Sequence, residues 1–135
     1  YVAGVEEAGL SIEPALVVRK ETAAATRRAV VQLLSGPNRP TAVLAANQMS
    51  AVYVLEACHQ LHLDVPGDLS MAMFDTFPFA EIFQPQITSV AQPTMRIGRE
   101  GVRLIRRRIK KPDAAPRSLR LEPTLVYRSS SAAPR

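Results

Sequence analysis

Two polar residues stand where an apolar, strand-like run ends: Asn47 after residues 41–46, and Asp75 after residues 69–74. An ionised aspartate can accept from two neighbouring hydroxyls, as on a sugar or a nucleoside, and an asparagine amide carries a donor and an acceptor side by side. Each also has a structural use. Asn47 can cap the helix that follows it, and Asp75 the short helix that Pro78 would open. Other reactive side chains promise less. His59 and His62 lie three apart on one helix, a spacing open to two metal ligands, but no cysteine or carboxylate cluster accompanies them and a solvated helix face explains them better. Cys58 falls on the apolar stripe of the same helix, as an inert core thiol does, and has no partner pattern for nucleophilic work. No serine sits in a Gly-x-Ser-x-Gly context, and there is no glycine-rich phosphate loop. The chain is therefore expected to be no enzyme and to carry no metal or other cofactor.

The elements that must hold Asn47 and Asp75 follow from hydrophobic period. Residues 15–18 form a β-branched run after Pro14, and Ala23, Val30, Leu33 and Leu34 recur at helical spacing behind Thr22. Breakers at residues 35–40 end that helix. Residues 41–46 are a continuous apolar run too short for a buried helix, the mark of a central parallel strand. Ala51, Val54, Leu55, Cys58 and Leu61 then give one face of a second helix, closed before Pro66-Gly67. A strand over residues 69–74, a short helix from Pro78 through Phe83 and a strand over 87–90 follow. A helix over 93–109 and late strands at 119–121 and 125–127 complete the chain. Strands alternating with helices predict an α/β fold, a parallel β-sheet flanked by helices with right-handed crossovers. In such sheets ligands bind beyond the carboxyl ends of the strands, which is where Asn47 and Asp75 fall.

The chain has 135 residues, 47% hydrophobic and 21% charged, which fits one folded domain and excludes a disordered or disulfide-built chain. No apolar run approaches the ~20 residues needed to cross a bilayer, so no membrane partner is expected. A start at Tyr1 suggests a processed or truncated chain. One cysteine requires no oxidising compartment, and a cytoplasmic location is expected. The net charge of +5 is uneven: residues 1–95 carry −4 and residues 96–135 carry +9. The basic run over residues 96–111 could serve as a nucleic-acid arm. It alternates with the apolar stripe of Met95, Val102, Ile105 and Ile109 and lacks aromatic residues for stacking, so it reads better as a solvated helix flank.

The ordered pieces Arg39-Pro40-Thr41-Ala42-Val43-Leu44-Ala45-Ala46-Asn47, Val65-Pro66-Gly67-Asp68-Leu69-Ser70, Phe74-Asp75 and Pro85-Gln86-Ile87-Thr88-Ser89-Val90-Ala91-Gln92-Pro93 resemble the sensor half of LacI/GalR-family (lac repressor-like) transcription regulators. Glu7-Ala8-Gly9-Leu10 and Leu16-Val17-Val18-Arg19 extend the resemblance over essentially the whole chain. It implies an incomplete bilobal domain of the periplasmic-binding-protein type: residues 1–90 as the C-terminal effector-binding subdomain, 91–118 as a crossover and a helix of the other subdomain and 119–128 as return strands. By composition Ser129-Ser130-Ser131-Ala132-Ala133-Pro134 looks like a frayed terminus, so residues 129–135 read as a flexible tail. The resemblance also implies a sugar-like or nucleoside-like effector held by Asn47, Asp75 and the position of Thr22, with Gln92 at the crossover hinge. A homodimer would form through Val52, Phe79, Ile82 and Phe83. Operator DNA would be bound only through an N-terminal helix-turn-helix that these residues do not include. An effector-holding arginine of the family would fall just before Tyr1. Three positions depart from the pattern: Gln48, where an acid is usual; Thr22, where a pocket aromatic often stands; and Thr76, the second residue of an Asp-Asp or Asp-Asn pair. A periplasmic solute-binding protein of a sugar transporter, which shares the fold, is the alternative.

Overall fold

The computed structural model describes residues 1–78 and 80–133. Strands β1 (Ala42–Ala45), β2 (Ser70–Phe74) and β3 (Thr88–Ala91) run parallel, and β4 (Thr124–Val126) pairs antiparallel with β3, giving a sheet in the order β1-β2-β3-β4. Helices α1 (Val2–Glu7), α2 (Ala23–Ser35), α3 (Gln48–Leu61) and α4 (Thr94–Lys110) accompany it. The expected α/β fold is therefore present, mostly parallel with one antiparallel edge.

Local chemistry sets the helix ends. The Thr22 hydroxyl accepts from the Ala25 N–H at 3.2 Å, and the Asn47 side chain accepts from the Ser50 N–H at 2.9 Å, each satisfying one of the free donors at a helix start. Helix α3 stops where His62 turns left-handed at φ 56° and its N–H reaches back to the carbonyls of Cys58 and His59. One core lies between the α2–α3 layer and the sheet. Leu34, Ala51, Val54 and Cys58 of the helices close on Leu69, Met71 and Met73, with Leu69 and Met73 wholly removed from water. Arg27 pins the two helices at the surface, donating to Glu56 at 2.7 Å with its guanidinium 4.5 Å from the Tyr53 ring centroid. That hydrogen bond raises the Arg27 pKa and lowers that of Glu56.

Five local expectations need correction. Residues 41–46 do not give a central strand: β1 is an edge strand that pairs with β2 alone, and of its four residues only Ala45 is buried. Residues 15–18 are not a strand: Pro14 seeds a 3-10 turn over Pro14–Leu16, and Val18 packs on the core from a loop. Described residues between Pro78 and Phe83 form turns rather than a helix, because too few residues precede Gln84-Pro85 to offset helix nucleation. Residues 119–121 join no strand. Nor are residues 129–132 a frayed tail. Ser130 is fully buried, its N–H donating to Gln86 and its carbonyl accepting from Met71, while the Ser70 and Thr88 hydroxyls bond to Ala132 and Ser131. Backbone groups at the amino ends of β2 and β3 need partners, and this segment supplies them.

Candidate functional site

Because β1, β2 and β3 are parallel, the residues that follow them line one edge of the sheet: Asn47 behind β1, Asp75 behind β2 and Gln92 behind β3. Thr22 stands at the start of α2, the helix that packs on α3. Thr22 and Asn47 are exposed, and Asp75 and Gln92 are half-buried. The oxygens of Thr22 and Asn47 are engaged as helix caps, but capping leaves the Asn47 amide N–H groups free to donate outward.

Asp75 is held differently. With no helix opening at Pro78, its capping use disappears. Its N–H donates to the Val90 carbonyl of β3 at 2.9 Å, and its Oδ1 accepts from the Thr76 N–H at 2.9 Å. Its φ is 76°, in the left-handed region that aspartate enters more readily than most residues and that tends to persist at binding sites. Oδ2 has no hydrogen-bond partner among the described residues. The carboxylate thus offers a free oxygen at the strand ends, as a ligand hydroxyl requires.

Sequence reasoning missed two contributors. Gln48, at the start of α3, donates from Nε2 to the Thr76 carbonyl and joins the loops behind β1 and β2. Phe77 packs on the core and stacks on Phe83, with ring centroids 5.2 Å apart; an aromatic two residues past Asp75 was the available signal. Around it, Ile82 is 77% exposed, Phe83 is exposed and Val52 is half-buried, while Phe79 lies outside the described residues.

Elsewhere, chemistry is sparse. Burial pushes the Cys58 thiol pKa up, with Arg39 pulling weakly the other way, so the thiol stays protonated at neutral pH. His59 and His62 are exposed, and no group of three or more His, Cys, Asp or Glu residues that could hold a metal ion occurs among the described residues. No described helix is long and apolar enough to cross a membrane. A cleft of about 260 Å³ lies between the end of α4 and residues 114–117. None of Asn47, Asp75 and Gln92 lines it, and it is open to solvent. None of α4 is buried, and Met95, Val102, Ile105 and Ile109 stand 58–80% exposed along it.

A family model described as a periplasmic binding protein-like domain matches residues 1–131. The ribose operon repressor of Haemophilus influenzae is 36% identical over 101 residues, covering 75% of this chain and 30% of that protein. Among solved structures, a LacI-family regulatory protein from Chloroflexus aggregans superposes with a TM-score of 0.85 at 27% identity, covering 98% of this chain and 48% of that one. The transcriptional regulator CelR in complex with cellobiose superposes with a TM-score of 0.84 at 31% identity, covering 97% and 40%. The chain spans less than half the length of these relatives. It belongs to the periplasmic binding protein-like domain family, and within it resembles LacI-family regulators over part of their length.

Proposed function

We propose that the chain is the effector-sensing and dimerisation part of a DNA-binding transcriptional repressor of the cytoplasm, with no catalytic step. The observation that carries this is the free carboxylate oxygen of Asp75, set beside Asn47 and Gln92 at the carboxyl ends of parallel strands. Residues 1–90 form the effector-binding subdomain, and α4 belongs to a second subdomain reached through Gln92. A sugar-like or nucleoside-like effector would close the two subdomains and shift the population of DNA-competent dimers through its differential affinity for the two states. Similarity to a ribose operon repressor and to a cellobiose-bound regulator favours a polyhydroxylated effector and a repressor over a transporter component. Asp75→Ala in the whole protein is expected to weaken effector binding by about 1.5 to 3 kcal/mol, roughly ten- to 150-fold, with a lower melting midpoint because alanine at this left-handed position also loses the Oδ1 bond to the Thr76 N–H. Isothermal titration against ribose, cellobiose and nucleosides measures this, and unaltered affinity would reject the pocket.

Dimerisation is assigned to Val52, Ile82 and Phe83, with Phe79 included from the sequence. Ile82 and Phe83 leave apolar surface in water that a second copy could cover. Phe83→Asp should convert a dimeric whole protein to monomer in sedimentation. A dimer of unchanged mass would refute the assignment.

A further inference from the structure

We infer that Gln48 is a positioning residue for the effector site, acting on Asp75 through the Thr76 carbonyl. This rests on the effector reading above and names the group that makes the Asp75 geometry stable. The left-handed backbone at Asp75 is unfavourable for an L-residue unless its neighbours over-determine it. Three contacts do so. The Asp75 N–H is anchored on Val90 of β3, its own Oδ1 receives the Thr76 N–H, and the Thr76 carbonyl receives the Gln48 amide from the first turn of α3. The first two leave that carbonyl, and with it the direction of the following chain, unrestrained. Gln48 supplies the last restraint across 28 residues of sequence and from a half-buried position, where water competes less for the bond.

The chemistry demands a donor. A glutamate in place of Gln48 would turn a carboxylate oxygen toward a carbonyl oxygen, and a methionine would fill the space with nothing to give. Gln48 and Thr76 are also two of the three positions at which the sequence departs from the LacI/GalR pattern, and they are bonded to one another. The Gln48 amide and the half-buried Thr76 backbone carbonyl work as a pair in this chain.

The test is amide hydrogen exchange by mass spectrometry on the whole protein, without effector, for wild type, Gln48→Met and Gln48→Glu. Peptides over residues 74–78 should exchange about fivefold or more faster in both variants, while peptides of β1, α3 and the first half of β2 keep their rates. Unchanged exchange at 74–78 overturns the proposal. Should Gln48→Met loosen the core as well, Gln48→Lys decides, because a lysine amine reaches the same carbonyl: recovered protection at 74–78 sustains the proposal and its absence overturns it. Titration of the same proteins with ribose and cellobiose should give about fivefold weaker binding for Gln48→Met of whichever sugar the wild type takes. Undiminished affinity in Gln48→Met, where Asp75→Ala has lost the sugar, overturns the proposal. Failure of the effector reading is distinguishable from both, because Asp75→Ala would then bind as the wild type does.

Discussion

The 135-residue chain by itself is expected to be less stable than the whole protein by several kcal/mol, and to expose α4 to rapid hydrogen exchange. The cause is the apolar stripe of that helix. Met95 is 80% exposed, Ile109 75%, Ile105 62% and Val102 58%, although with Gly98 they follow the 3,4,3,4 spacing of a helix face built for burial. Covering four such side chains stabilises by about 1.5 to 3 kcal/mol each. That gives an upper figure of roughly 6 to 12 kcal/mol, as large as the whole stability of many domains. In the proposed reading a second subdomain provides the cover. Without it, the fragment has three outcomes: docking the helix elsewhere, exchanging it between copies, or aggregation through it. Urea unfolding of the isolated chain beside the whole protein measures the difference. A monomeric fragment as stable as the whole, with α4 amides exchanging freely, would show that the stripe needs no partner.

Sequence reading succeeded where period and caps decide the outcome. The run at residues 41–46 does contain a strand, β1, but at the sheet's edge rather than its centre, with Ala45 the one buried residue of its four and Leu44 54% exposed. Ala51, Val54 and Cys58 turn inward because they share one face of α3. Asn47 and Asp75 were legible as strand-end residues for the same reason. The failures share a cause too. Residues 15–18 have strand propensity, but pairing is decided by whether an edge is offered, which a local window does not contain. Gln48 registered only as a departure from a pattern, since its partner Thr76 lies 28 residues away. The misjudged terminus is the clearest case. Ser129, Ser130 and Ser131 look like solvent-seeking residues. Their partners are Gln86, Thr88 and Met71, about 40 to 60 residues earlier in the chain, and no composition rule reports such pairings.

Ser130→Ala is expected to destabilise the whole protein by about 2 to 5 kcal/mol, a large effect for losing one oxygen. Ser130 is completely buried. Its Oγ donates to the Met71 carbonyl at 2.6 Å and accepts from the Thr88 N–H at 2.8 Å, bridging β2 and β3 where the two strands begin. Alanine leaves both backbone groups buried without a partner, and each such orphan costs about 1 to 3 kcal/mol. Removing the chain after Arg128 should cost still more. It also deletes the Ser130 N–H to Gln86 and Met71 N–H to Ser130 bonds, together with the Ser131 hydroxyl that meets Thr88. The neighbouring Arg128, which donates to the Ile87 carbonyl at 2.9 Å and to the Ser89 hydroxyl at 2.8 Å, cannot substitute, because it serves β3 alone. Urea denaturation of the whole protein followed by circular dichroism gives the difference. The loss should appear as a lower midpoint with an unchanged slope, since the same surface is exposed on unfolding. Effector affinity should hold in the folded population, because Ser130 braces the amino ends of the strands and Asp75 stands at the carboxyl ends. A loss below about 1 kcal/mol would mean that water reaches Met71 and Thr88 as readily as Ser130 does, and would return the terminus to the role of a dispensable tail.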